Sequence, residues 1–76
     1  MTTRQMIELT EARRLLRSGE ARRIRVAAGL SQPEIARTIG VSPSAISRWE
    51  TGSRRPTGEP ALAFAELLTS LRKADK

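Results

Sequence analysis

The strongest constraint on this chain is the spacing of helix start and stop signals between Ser31 and Gly52. Ser31-Gln32-Pro33-Glu34 sets a serine cap, a proline in the first turn and a glutamate three residues after the cap. That is the pattern of a capping box, and proline costs nothing there because the first-turn N–H has no partner to lose. Gly40 stops this helix after about two turns. Ser42-Pro43 starts another at once, and Thr51-Gly52 closes it. Ile35, Ala36 and Ile39 make the apolar face of the first helix, and Ala45, Ile46 and Trp49 that of the second. The joint Gly40-Val41-Ser42 is too short for anything but a tight turn. Gly40 supplies backbone freedom, small Ala36 lets the second helix cross closely, and Ile39, Val41 and Ile46 fill the angle between them.

The rest of the chain reads as helix as well. A helix over roughly Thr10–Arg17, or from as early as Arg4, has Ile7, Ala12, Leu15 and Leu16 on its apolar side and ends at Ser18-Gly19. The next runs about Gly19–Ala28, with Ala21, Ile24 and Ala28 on one face and Gly29 after its end. Ser53–Pro60 is a loop, and a last helix follows over about Glu59–Arg72. Its apolar residues Leu62, Phe64, Ala65, Leu67, Leu68 and Leu71 spread over more than one face, so one side can seal a core while another meets a partner subunit. Apolar residues make up 38% of the 76 positions, with one Trp, one Phe and no Tyr. That suits an all-α core of Leu, Ile and Ala better than a sheet. The expected organisation is one domain over 1–76: an additional N-terminal helix over 1–18, a core over 19–72 and a frayed tail over 73–76.

Charge and composition narrow the function. The formal net charge is +6, nearly all of it from arginine, since only Lys73 and Lys76 are lysine. A field of this sign favours polyanions, nucleic acid first and anionic membrane second. Arginine forks suit phosphate and guanine, although a G- and C-rich coding sequence inflates arginine in the same way. The chain has no Cys and no His. Disulfides, thiolate or imidazole metal sites and histidine acid–base catalysis are therefore excluded, no cofactor or small-molecule ligand is called for, and an enzyme is the weakest reading. No apolar run approaches the ~20 residues that span a bilayer. MTTRQMIELT lacks the apolar stretch of a signal peptide, so the expected location is the cytoplasm.

Two short helices joined at an angle form a helix-turn-helix. The outward face of the second carries Pro43, Ser44, Ser47, Arg48 and Thr51, short polar residues and one long arginine that suit a groove about 12 Å wide. The sequence resembles the Cro and phage-repressor type of helix-turn-helix domain, the XRE-like or lambda-repressor-like family. The resemblance rests on Gly29-Leu30-Ser31-Gln32, Glu34-Ile35-Ala36, Ile39-Gly40-Val41-Ser42, Ile46-Ser47-Arg48-Trp49-Glu50 and Gly52, and covers about Glu20 to Leu71. It implies a lambda-repressor-like bundle of four to five short helices, with the helix before Ser18 as an addition. It implies that Gln32 bonds a phosphate, that Ser42, Pro43, Ser44 and Arg48 reach base edges, and that Ser47 touches base or phosphate. Many members carry longer amides where Pro43 and Ser44 stand, so direct readout rests heavily on Arg48, forked onto a guanine, with Pro43 against a thymine methyl. The segment after the second helix matches the family's second phosphate clamp, here Thr51, Ser53, Arg54 and Arg55. Arg25 and Glu50 match a pair that forms a buried ion pair in the family, which makes Glu50 structural. The partner implied is double-stranded DNA, as a palindromic operator bound by a homodimer, in a small repressor acting by occupancy.

Other readings compete at particular residues. Trp49 could stack on a base but sits on the inner face, which favours the core. Glu8, Glu11, Glu20 and Glu66 read as surface charge, and Ser44 and Ser47 lack a histidine to activate them. The run Arg13, Arg14, Arg17, Arg22 and Arg23 is open to two readings, extra phosphate contact or an arm reaching neighbouring DNA, and a solvated face paired with Glu11 and Glu20; the second is favoured, with Arg22 and Arg23 the better phosphate candidates. The helix before Ser18 either packs on the last helix or joins a dimer contact. Two alternatives stand beside the repressor: an antitoxin or adaptor that binds protein through its last helix, and non-specific binding of nucleic acid, including RNA.

Overall fold

The computed structural model describes residues 1–74, which form five helices and, among those residues, no strand. They are α1 (Thr3–Ser18), α2 (Glu20–Ala27), α3 (Gln32–Ile39), α4 (Pro43–Thr51) and α5 (Gly58–Ala74). No described helix is long and apolar enough to cross a membrane.

Two of these helices have full capping boxes. In α3, the Ser31 hydroxyl accepts from the Glu34 N–H while the Glu34 carboxylate accepts from the Ser31 N–H. In α1, Thr2 and Gln5 make the same reciprocal pair, so that helix begins at Thr3 and is far longer than Thr10–Arg17. The starting signal was in the sequence, with glutamine in the glutamate's place. At the other end of the chain α5 continues through Lys73 and Ala74, beyond the end expected at Arg72. Asp75 and Lys76 lie outside the described residues.

The core draws on all five helices. Ala12, Leu15 and Leu16 of α1 meet Ala21 of α2, Ile35 and Ala36 of α3, Ile46 and Trp49 of α4, and Phe64, Ala65 and Leu68 of α5. Trp49 is core, its ring 5.4 Å from that of Phe64 in a tilted contact. α1 packs chiefly on α5 and also touches α2 and α4. α2 and α3 also pack on α5, and Leu62, Leu67 and Leu71 are left half-buried, none of them fully exposed.

Two residues expected on inner faces are exposed. Ile7 is on the outside of α1, because at about 100° per residue it lies roughly 200° around the helix from buried Leu9. Ala28 falls just past α2, where the Leu30 N–H bonds back to the Arg25 carbonyl and the chain turns away.

Candidate nucleic-acid interface

The turn between α3 and α4 depends on Gly40. Its φ is +79°, in the left-handed region, and the N–H groups of both Gly40 and Val41 bond to the Ala36 carbonyl at 2.9 Å. One residue later the Ser42 hydroxyl accepts from the Ala45 N–H and starts α4. Buried Ala36 and Ile46 lie on the facing sides of the two helices. The far side of α4 is thereby turned out. Ser42, Pro43, Ser44, Arg48 and Thr51 are all exposed, and Ser47 is half-buried at the edge of that face.

Behind α4 is a small polar cluster. Arg25 lies on α2, and its Nε and Nη2 donate to the two carboxylate oxygens of Glu50 at 2.6 and 3.0 Å. Its Nη1 donates to the Leu30 carbonyl at 2.9 Å, fastening the α2–α3 connection. Gln32 Nε2 donates to Glu50 Oε1 at 2.9 Å. The Glu50 side chain is 2% exposed, and Arg25 is the one buried charged residue among those described. Burial by itself would raise the Glu50 pKa. Hydrogen bonds from Arg25 and Gln32, then the charges of Arg25 and Arg22, outweigh it and hold the carboxyl below the usual glutamate range. Hydrogen bonding to Glu50 raises Arg25 in turn, against its burial. The cluster ties α2, α3 and α4 together and fixes the roll of α4 about its axis. Gln32 therefore has a structural bond that sequence reasoning did not assign, which uses one of its two amide hydrogens.

After α4 the chain turns through Gly52, and the Arg54 N–H bonds back to the Arg48 carbonyl at 3.2 Å. The Thr51 and Ser53 hydroxyls pair at 2.8 Å. Thr51, Ser53, Arg54 and Arg55 are exposed, as are Arg22 and Arg23 on α2. A concavity of about 180 Å³ brings Arg48, Arg54 and Arg55 together beside Ser42.

The basic run of α1 divides. Arg14 pairs with Glu11 and, at 3.6 Å, with Glu20, and Arg72 of α5 reaches Glu11 at 3.3 Å. Hydrogen bonding from Arg14 holds the Glu11 pKa down against slight burial, with the charges of Arg14 and Arg72 adding. Arg13 is not part of a solvated face. Its Nη2 donates to the Pro56 carbonyl at 3.0 Å, tying α1 to the α4–α5 loop. The signal was available, because position 13 lies one turn from both Leu9 and Leu16 along the buried stripe.

A family model described as helix-turn-helix matches residues 22–70, well over half of the chain, and leaves α1 outside the match. No curated protein and no solved structure matches.

Proposed function

The chain belongs to the XRE-type helix-turn-helix family of DNA-binding regulators, and from that premise we propose that it is a small repressor that reads double-stranded DNA with α4 in the major groove. The single observation that carries this reading is the placing of Arg48. It is exposed among short neighbours on the outer face of α4, while Glu50 two residues on is locked to Arg25 and Gln32 behind it. An arginine on a helix so fixed can fork onto the O6 and N7 of a guanine, and Ser42, Pro43, Ser44 and Ser47 are short enough to let the helix approach. The free amide hydrogen of Gln32, the Thr51–Ser53 hydroxyl pair, Arg54, Arg55, Arg22 and Arg23 then contact backbone phosphates and set the register. One α4 reads few base pairs. Specificity comes from two copies on one face of a palindromic operator, so the repressor acts in the cytoplasm as a homodimer on DNA and by occupancy alone.

Selection from a random duplex library should return a palindromic site. Against that site, Arg48→Ala should lose about 1–3 kcal/mol and relax base preference at one position in each half-site. Equal binding of the selected site by wild type and Arg48→Ala would end the direct-readout reading. Equal wild-type affinity for selected and random duplexes would point to non-specific binding.

A further inference from the structure

Next to the proposed DNA face, α1, the end of α4 and the α4–α5 loop enclose a second concavity of about 320 Å³. Arg13 and Arg17 line it from α1, and Arg54 and Arg55 line it from the loop. Its apolar lining includes Leu16, Trp49 and Pro56. Among the described residues none of these four arginines is within ion-pair distance of a carboxylate, whereas Arg14, Arg25 and Arg72 all are. The Arg13 Nε is buried with no hydrogen-bond partner. A buried donor left unpaired is costly, and four uncompensated cations on one apolar-lined hollow repel each other. Burial, with the charge of Arg55 adding, pushes the Arg13 pKa below the ordinary arginine value, as expected for a guanidinium that lacks its anion.

We infer that this hollow seats a phosphate group, held between the Arg13–Arg17 side of α1 and the Arg54–Arg55 loop. Guanidinium forks match phosphate oxygens in geometry and charge, and a phosphate oxygen supplies an acceptor to the Arg13 guanidinium, whose Nε–H lacks one. The hollow shares Trp49, Arg54 and Arg55 with the concavity that holds Arg48, so the two adjoin. A phosphate on the DNA backbone beside the base-reading helix is one source of this chemistry, and it rests on the reading above. Free phosphate is the other. In the first case α1, which lies outside the matched family region, widens the DNA footprint.

The test uses the full chain and two probes. Inorganic phosphate is titrated at ionic strength held constant with chloride, and the emission of Trp49, the one tryptophan, is followed. Separately, the salt dependence of binding to the selected duplex is measured. Arg17→Gln is the main variant, because the exposed Arg17 makes no side-chain bond that its loss would break. Arg13→Gln is the second, and Arg4→Gln on the same helix is the control. Phosphate should change Trp49 emission, and Arg17→Gln and Arg13→Gln should weaken that response about tenfold or more, the worth of one charge-assisted hydrogen bond. If DNA supplies the phosphate, the slope of log affinity on log salt becomes shallower by about 0.9 in Arg17→Gln and keeps its wild-type value in Arg4→Gln. A phosphate response with an unchanged slope assigns the hollow to a free anion. A phosphate response in a chain that binds no duplex keeps the hollow and removes the proposed function. No phosphate response together with a wild-type slope in both pocket variants overturns the inference and leaves base reading by Arg48 intact.

Discussion

Arg25 and Glu50 show how much one pair of residues can decide. The pair is buried, doubly hydrogen-bonded and completed by Gln32 and the Leu30 carbonyl. Removing either partner strands a charge, so Arg25→Ala or Glu50→Ala should cost about 3–5 kcal/mol in denaturant unfolding. For a chain of this size that is most of the stability, and both variants should be largely unfolded at 37 °C. Glu50 and Glu34 also set the acid limit. Both carboxyls are held below their unfolded value of about 4.3: Glu50 as described above, and Glu34 by its bond from the Ser31 N–H, then from the Ser31 hydroxyl. A depressed carboxylate stabilises the fold in full above its unfolded pKa and loses that contribution as pH falls through its lower folded pKa. Stability should therefore hold above about pH 5 and fall below about pH 4. Glu34→Gln separates the two groups. Gln5 already serves this position in the α1 box, so the cap survives while the titration is removed. Its stability-against-pH curve should have a shallower acid limb than wild type.

At the scale of the element, the α3–turn–α4 unit stands on backbone conformation. A methyl group added at Gly40 would meet nothing within 4 Å, so space does not require glycine there. Its φ of +79° does. Gly40→Ala should fold with the same helices and lose about 1–2 kcal/mol of pure backbone strain. In a thermal melt that is a drop of roughly 4–8 °C per kcal/mol for a domain of this length. A larger loss would mean that the turn had rearranged. The boundaries of α3 and α4 were readable because cap, proline, box and glycine are local chemistry, each acting within four residues. The early start of α1 was just as local: a beginning near Arg4 was one of the two readings, and the Thr2–Gln5 box that decides for it has glutamine in the glutamate's place. The packing of α1, α2 and α3 on α5 was not local: apolar residues on two sides of α5 show that both are wanted inside, and nothing in the helix says which neighbours meet them.

At the scale of the whole molecule, one ion pair lies behind α4 and the others lie within α1 or join it to α5 and α2, while among the described residues Arg48, Arg54, Arg55, Arg13 and Arg17 have no carboxylate partner and line two adjoining hollows. Such a surface should bind DNA with a strong salt dependence. The four arginines assigned to phosphates (Arg22, Arg23, Arg54 and Arg55) predict a slope of roughly −4 per protomer in log affinity against log salt, steeper once Arg13 and Arg17 contribute. A fluorescence-anisotropy titration over several salt concentrations checks it, and a slope near −1 would show that these charges do not meet the backbone. The sequence by itself determined the five helices, the turn at Gly40, the inward side of Trp49 and the family, because these follow from short-range capping, periodicity and motif spacing. Only the tertiary structure decided that Gln32 braces Glu50, that Arg13 crosses to Pro56, that α1 packs chiefly on α5, and that four arginines from two distant segments share one hollow. Those are meetings between residues far apart in the chain, and the packing of all five helices on one core brings them together.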